Sequence, residues 1–417
     1  MRLVVLLLLV LASCSGPCKE TEAARLALMA RKDVAPGPHA RIQLPYELAN
    51  HLIAEVVKHE PEIPVTFDDL GPFAAYLPKL RARVLTIELG LASPGLVHFD
   101  ARIAVFDDGG ELMTFVARTE VQPTLDGHTL AIALRGDSIS GVKPELGPTS
   151  RQRLGDEIVR RLPDSVRDRI PQLVVDRVAA KLVEQGAEQT YRLLRGALLG
   201  RLGELTTIRI ALPDLPIARV DVASTQGPVP ALALGVVSTL PIRAAVREPT
   251  ADPLASEVAV AISGSAAAEL ANWGVAKGAL PPRYTRGLKP APDGTYVPYF
   301  DWRADQPERP LVVHMFKVED GCAHFVVGVQ PHVEVNNGSL RTWVENKSLE
   351  QADASFAFEM LARIHSAFEN PTSNANKLPG HVHITIGGRD VSGTLTRAAI
   401  VDNELRVGVA LDIHDAI

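Results

Sequence analysis

Apolar and polar residues alternate over long stretches of this chain. Leu85, Ile87, Leu89 and Leu91 alternate with Thr86, Glu88 and Gly90, and Val97, Phe99, Ala101, Ile103 and Val105 alternate with a more polar set. A period of two puts one set of side chains on one face, so both runs predict strands with a single buried face. Asp107-Asp108-Gly109-Gly110 has the composition of a hairpin turn, and Met113, Phe115, Ala117 and Val121 continue the apolar face on the returning strand. Asp126-Gly127 turns again into Leu130, Ile132 and Leu134. Together these segments predict an antiparallel meander with one apolar face. Helical spacing appears on either side. After Pro45, Leu48, Ala49, Leu52, Ile53, Val56 and Val57 mark one face of a helix over Tyr46–His59. A second helical region covers 150–203. Pro163 and Pro171 interrupt its first part, and Gln172–Leu202 is a long amphipathic run with Val174, Val178 and Leu182 on one side.

The same order then recurs. Strands at Ile208–Leu212 and Ile217–Val222 and an extended segment at Ala231–Ile242 close the first half. A strand at Val258–Ile262 and a helix at Ala266–Ala276 open the second. Strands follow near Val312–Val318, His324–Val333 and Leu340–Val344, then a helix at Asp353–Glu369, then strands at Val382–Ile386, Gly393–Val401 and Leu405–Leu411. Glu-Leu-Ala-Asn occurs at Glu47–Asn50 and again at Glu269–Asn272, in the first helix of each half. The repetition predicts an internal duplication, with modules at 37–250 and 251–417.

The amino terminus adds an export signal. Met1-Arg2 is positive, and Leu3–Leu11 is continuously apolar but far short of the about 20 residues a membrane-spanning helix needs. Ala12 and Ser13 are small, as at a cleavage site. Leu11-Ala12-Ser13-Cys14 resembles a bacterial lipobox, which implies cleavage after residue 13, acylation of Cys14 and an anchored tether over 14–36 that includes a short helix from Glu20 to Arg31. The protein is therefore expected to be exported and held on a bacterial membrane, facing the periplasm, with the outer membrane favoured. The ordinary alternative is a cleaved signal with a chance cysteine. Composition fits a folded exported chain: 417 residues, 46% hydrophobic and 22% charged. A net charge of -6, spread without long like-charged runs, argues against nucleic acid as a partner. Beyond Cys14, only Cys18 and Cys322 remain, which could pair in an oxidising compartment.

A long amphipathic helix beside a sheet with one apolar face can bury both if the sheet curls around it, and an elongated apolar interior can hold acyl chains. Leu215-Pro216-Ile217-Ala218-Arg219-Val220-Asp221-Val222, followed by Ala231-Leu232-Ala233-Leu234-Gly235-Val236, looks like the strands that close such a module. With the repeated element order, the pattern resembles the tandem tubular lipid-binding (TULIP) modules of proteins like bactericidal/permeability-increasing protein. The resemblance spans about residues 37 to 417. It implies an α+β fold of two tandem modules, each a long amphipathic helix wrapped by a curved antiparallel sheet, and it implies binding of lipid or another amphiphile. One departure is a second half with shorter strands, more Pro and Gly, and a shorter second helix, whose tunnel would be closed or absent. The expected lining of the first tunnel is Leu52, Val56, Leu85, Ile87, Leu89, Phe99, Ala101, Ile103, Val174 and Val178. Two rivals stand beside this reading: a scaffolding lipoprotein with a packed interior, and an enzyme whose site is scattered along the sequence.

Candidate chemistry elsewhere is thin. His381 and His383 flank Val382 on one strand face but lack a third ligand, and His314, His324 and His332 have no ligand spacing. There is no Gly-x-Ser-x-Gly elbow, P-loop or His-Glu-x-x-His. Gly196, Gly200 and Gly203 fit close packing or a helix end better than a phosphate cradle. Asp156, Glu157, Asp164 and Asp168 among Arg151, Arg153, Arg160, Arg161, Arg167 and Arg169 read as a solvated helix face, with a headgroup role for the arginines as the alternative. Asn337-Gly338-Ser339 reads as a turn. No catalytic role, cofactor or metal is expected.

Overall fold

A computed structural model describes residues 16–59, 62–65, 80–127, 129–132, 143–146, 207–211, 215–247, 254–285, 290–317, 323–352, 381–386 and 389–413, with isolated helical positions between 149 and 181. Cys14, Val178, Cys322, nearly all of the Gln172–Leu202 run and the expected helix at 353–369 lie outside the described residues. The described chain opens with helix α1 (Gly16–Met29), strand β1 (Ala40–Pro45) and helix α2 (Tyr46–Lys58). Strands β2 (Ile63–Val65), β3 (Leu80–Gly90), β4 (Val97–Asp107), β5 (Gly110–Val121), β6 (Thr124–Asp126), β7 (Thr129–Ile132), β8 (Lys143–Glu145), β9 (Ile208–Ala211), β10 (Ile217–Thr225) and β11 (Ala231–Ser238) complete the first half. The second half has β12 (Glu257–Ser263), α3 (Gly264–Lys277), β13 (Tyr296–Trp302), β14 (Leu311–Lys317), β15 (Ala323–Asn336), β16 (Ser339–Ala352), β17 (His381–Ile386), β18 (Arg389–Val401) and β19 (Glu404–Ile413).

These strands build three antiparallel sheets. A five-stranded sheet runs β2-β3-β4-β5-β8, a four-stranded sheet runs β13-β14-β15-β16, and a ten-stranded sheet runs β10-β11-β1-β12-β19-β18-β17-β9-β7-β6. The expected fold class needs correction. The described residues are mostly β, their three complete helices are 13 or 14 residues long, and they do not form two modules in each of which a sheet wraps a long helix. The large sheet takes strands from both halves, because β1 is paired by β11 on one edge and by β12 on the other. An unpaired edge there would leave a row of backbone donors and acceptors without partners, and the other half supplies them. The second half does not have shorter strands either: β15 and β16 have 14 residues each. No helix among the described residues is long and apolar enough to cross a membrane.

Local chemistry explains the element ends. The β4–β5 hairpin turns at Asp107–Gly110, where Gly110 takes φ 117° and Arg153 donates to the Asp107 carboxylate. Helix α3 starts at Ser263, whose hydroxyl accepts from the Ala266 N–H, and stops at Gly278 in the left-handed region. Gly264 lies against the Trp302 indole, where a Cβ has no room. The apolar stripe of α2, from Leu48 to Val57, packs with the inward residues of β3, β4 and β5 in one large core that also takes in Leu130, Ile132, Leu232 and Leu234 from the ten-stranded sheet.

The repeated tetrapeptide makes the same contact twice. In α2, Asn50 donates from its amide to the Leu89 carbonyl at 3.0 Å and accepts from the Leu89 N–H at 2.7 Å. In α3, Asn272 donates to the Phe300 carbonyl at 2.8 Å and accepts from the Phe300 N–H at 2.7 Å. Each asparagine satisfies both backbone groups of one strand residue and fixes the helix against its sheet. Asn50→Ala and Asn272→Ala are each expected to lower stability by about 1–3 kcal/mol, the cost of leaving such groups unpaired. The double variant should be nearly additive, because the clamps share no partners. Denaturant unfolding of the three variants checks this.

Candidate functional site

Most of the expected lining residues are brought together. Leu52, Val56, Ile87, Leu89, Phe99, Ala101 and Ile103 are each no more than 3% exposed and belong to one apolar cluster between α2 and β3–β5. Two do not join it. Leu85 is 40% exposed, because the β3–β4 register shifts between Val84 and Thr86. One extra residue in the strand reverses the alternation, so the inward set is Leu80, Ala82 and Val84 before the bulge and Ile87 and Leu89 after it. Val174 is 45% exposed. Its neighbours at helical spacing are Arg177 and Lys181, both exposed, so it shares the polar side of its helix.

A pair of hollows that the sequence did not reveal lies where the two halves meet. The first is an apolar groove of about 380 Å³ on the ten-stranded sheet, with Ala259, Val260, Ala261, Ala399 and Val407 among its walls. Val260 and Val407 also pack against the large core. The second, of about 410 Å³, is polar and includes Gln330, His332, Asp402 and Asn403. Arg247 and Ala399 belong to both. Four arginines border the groove: Arg41, Arg247, Arg397 and Arg406. Buried carboxylates occupy two of them: Arg397 meets Glu257 at 3.0 Å, and Arg406 meets Glu404 at 3.0 Å. The other two engage through the backbone. Arg41 donates to the Arg247 carbonyl at 2.8 Å, and the Arg247 N–H donates to Glu404 at 2.6 Å. The geometry thus offers apolar surface, a polar chamber beside it and guanidinium charge at the junction, a combination suited to an anionic amphiphile.

The second half also holds a buried polar cluster. On one face of β13–β15, the Tyr299 hydroxyl lies 3.2 Å from the Glu269 carboxylate of α3, and His314 Nδ1 lies 3.2 Å from His324 Nε2, within hydrogen-bond distance, with Phe316 stacked on both rings. Burial pushes the Glu269 carboxyl up, and burial, reinforced by Glu269, raises the Tyr299 phenol. Burial and the adjacent His324 push His314 down to about 4. His314 is 8% exposed and its Nε2 finds no hydrogen-bond partner among the described residues, so a proton there would be costly. The side chains of His381 and His383 lie outside the described residues. Among the described residues, no three His, Cys, Asp or Glu side chains gather as metal ligands.

No family model and no curated protein matches the chain. Among solved structures it is similar to P47 from Clostridium botulinum A2, with 9% identity and a TM-score of 0.41, covering 89% of this chain and 96% of that one. It is also similar to P47 of Clostridium botulinum E1 (7%, 0.38, covering 89% and 98%) and to a lipopolysaccharide binding protein (10%, 0.27, covering 91% and 100%).

The His314 environment sets a pH dependence. Its folded pKa lies below the unfolded value, so its contribution to stability is complete above pH 6.5 and is lost as pH falls through about 4. The shift corresponds to about 3 kcal/mol between neutral pH and pH 4. His314→Phe cannot titrate, so its stability should fall less over that range than that of the wild type, as read by denaturant midpoints at each pH.

Proposed function

We propose that this is an exported protein, fixed to a bacterial membrane through acyl groups on Cys14, that binds an anionic lipid or other amphiphile. The observation that carries the binding reading is the meeting of the apolar groove and the polar hollow at Arg247 and Ala399. An acyl chain removes the groove walls from water, at about 25 cal/mol per Å² of apolar surface covered. The headgroup takes the polar hollow, with Arg247 at the boundary. A guanidinium suits this position because it stays charged and presents several donors to a phosphate or carboxylate. The export reading is supported by the apolar run at Leu3–Leu11 followed by Leu11-Ala12-Ser13-Cys14. We further propose that the two halves are copies of one unit, on the strength of the asparagine clamps at matching places in α2 and α3.

A specific observation favours a second reading. Leu52, Val56, Phe99 and Ile103 belong to a single buried cluster, as in the packed interior of a scaffolding protein. The two readings separate on three variants. If the groove binds, Ala399→Trp, at an exposed position that lines both hollows, should abolish binding of a fluorescent fatty-acid probe, and Arg247→Glu should weaken it at least tenfold, both with near-normal melting. If an interior tunnel binds instead, Ile103→Trp should block the probe with little loss of stability. If the interior is packed, the same variant should lose about 1–3 kcal/mol. A wild-type protein that binds no probe would favour the scaffold. Export and anchoring have their own test: metabolic labelling with a fatty-acid analogue should mark the wild type and not Cys14→Ser.

A further inference from the structure

The segment that follows Cys14 is docked on the second half. Thr21 of α1 is buried. The Leu28 carbonyl lies 3.2 Å from the Tyr299 hydroxyl, as an acceptor alternative to Glu269 for its one proton, and Arg31 meets Asp301 at 2.9 Å. Asp301 is 5% exposed and is also bound by Arg243 and the Trp302 N–H, so the Arg31 site is prearranged. Farther along, the Ala35 N–H donates to the Ile242 carbonyl at 2.7 Å. These bonds fix one side of the segment to the body. The other side is apolar and exposed: Leu26 is 51%, Met29 60% and Val34 49% exposed. Ala23, Ala27 and Ala30 are exposed beside Leu26 at helical spacing, and the exposed pairs Lys19-Glu20 and Lys32-Asp33 flank the stretch without net charge. Scattered exposed apolar residues are ordinary. Here three large ones lie within nine residues, Leu26 and Met29 on α1 and Val34 in the stretch that follows it, in a segment held against the body by its other side.

We propose that this outward side of α1 and the residues after it rest on the phospholipid surface, so that the second half is held against the bilayer rather than on a free tether. The proposal rests on the lipid-anchor reading. Cys14 precedes the first residue of α1 by two positions, so acyl groups there would leave α1 starting at the headgroup level. A helix of this length spans about 21 Å, and with the body on its inner side it reaches the interface with its outer side only by lying in the membrane plane. Leu26, Met29 and Val34 then enter the headgroup boundary.

The test uses the acylated protein purified from membranes and reconstituted in phosphatidylethanolamine and phosphatidylglycerol vesicles containing brominated phosphatidylcholine. The wild type supplies the background from Trp273, Trp302 and Trp343. The added emission of Met29→Trp should be blue-shifted and quenched by the bromines, whereas that of Leu125→Trp, on β6 of the first half, should not. Unquenched Met29→Trp emission from protein that carries the fatty-acid label would overturn the docked orientation while leaving the anchor in place. Absence of label would overturn the anchor reading and this proposal with it. Met29 is largely solvated, so a failure to fold is not expected. Leu26→Trp, read in the same way, must agree with it for the proposal to stand.

Discussion

The pairing of β1 with β12 is the constraint on which the rest of the molecule depends. Ala40, Arg41, Ile42 and Gln43 face Ile262, Ala261, Val260 and Ala259 in antiparallel register. Each of these strands begins its half, and each leads directly into that half's first helix. Their other edges are taken by β11 and β19, the strands that close the respective halves. The ten-stranded sheet is therefore continuous across the joint, and neither half completes its hydrogen bonding alone. Loss of this pairing would expose two strand edges at the middle of the molecule, where water is excluded from the core side and Val258 and Val409 are buried.

That arrangement shows why some of the fold was legible in the sequence and some was not. Period-two alternation depends only on which face is buried, so β4, β5, β14, β15, β18 and β19 were readable with their approximate bounds. The hairpin at Asp107–Gly110 was readable because a sharp turn needs those residue types. The bulge at Leu85 was not, because nothing in Val84-Leu85-Thr86 signals an inserted residue; it is defined by the partner strand. The helical phase at Val174 is not legible in the sequence for a related reason. Val174, Val178 and Leu182 form an apolar stripe, but Val174 equally shares a stripe with Arg177 and Lys181, and spacing alone does not choose between them. Strand β13 is hidden in the sequence because Pro298 breaks its pattern and its alternate residues are Tyr299 and Asp301, which are buried through partners distant in sequence. The sharing of one sheet by both halves is a nonlocal pairing with no local signature.

The tetrapeptide repeat carries more information than its length implies, because the two copies agree at Asn and differ at Glu. Glu47 is exposed in the first turn of α2, where a carboxylate complements the helix dipole. Glu269 is 6% exposed and lies between Asn272 and Tyr299. The same side chain is thus cheap in one half and expensive in the other, since desolvation disfavours its charged form. The second half tolerates it by surrounding it with donors and by placing Arg243 and Arg31 around the neighbouring Asp301. The clamp residue has no such freedom. A primary amide offers a donor to the C=O and an acceptor to the N–H of one strand residue, which neither an ionised Asp nor Leu can do.

The joint also explains where the groove forms. At the meeting of two sheet halves, the strands must approach across β1, β12 and β19 without large side chains crowding the surface, and Ala259, Ala261 and Gly408 sit there. Gly408 leaves space beside Glu257 and Arg397 that a Cβ would fill. Small residues on a sheet flanked by arginines produce a trough with charged borders. The borders are held open because Glu257 and Glu404 engage Arg397 and Arg406 from below. A buried carboxylate without its arginine would be strongly unfavourable, so these two pairs are committed to structure. Arg41 and Arg247 make only backbone contacts of their own in the described network, one to a carbonyl and one through its N–H. In the proposed binding of an anionic amphiphile, their guanidinium groups are the ones that can donate to the anion without breaking a carboxylate pair that the sheet requires.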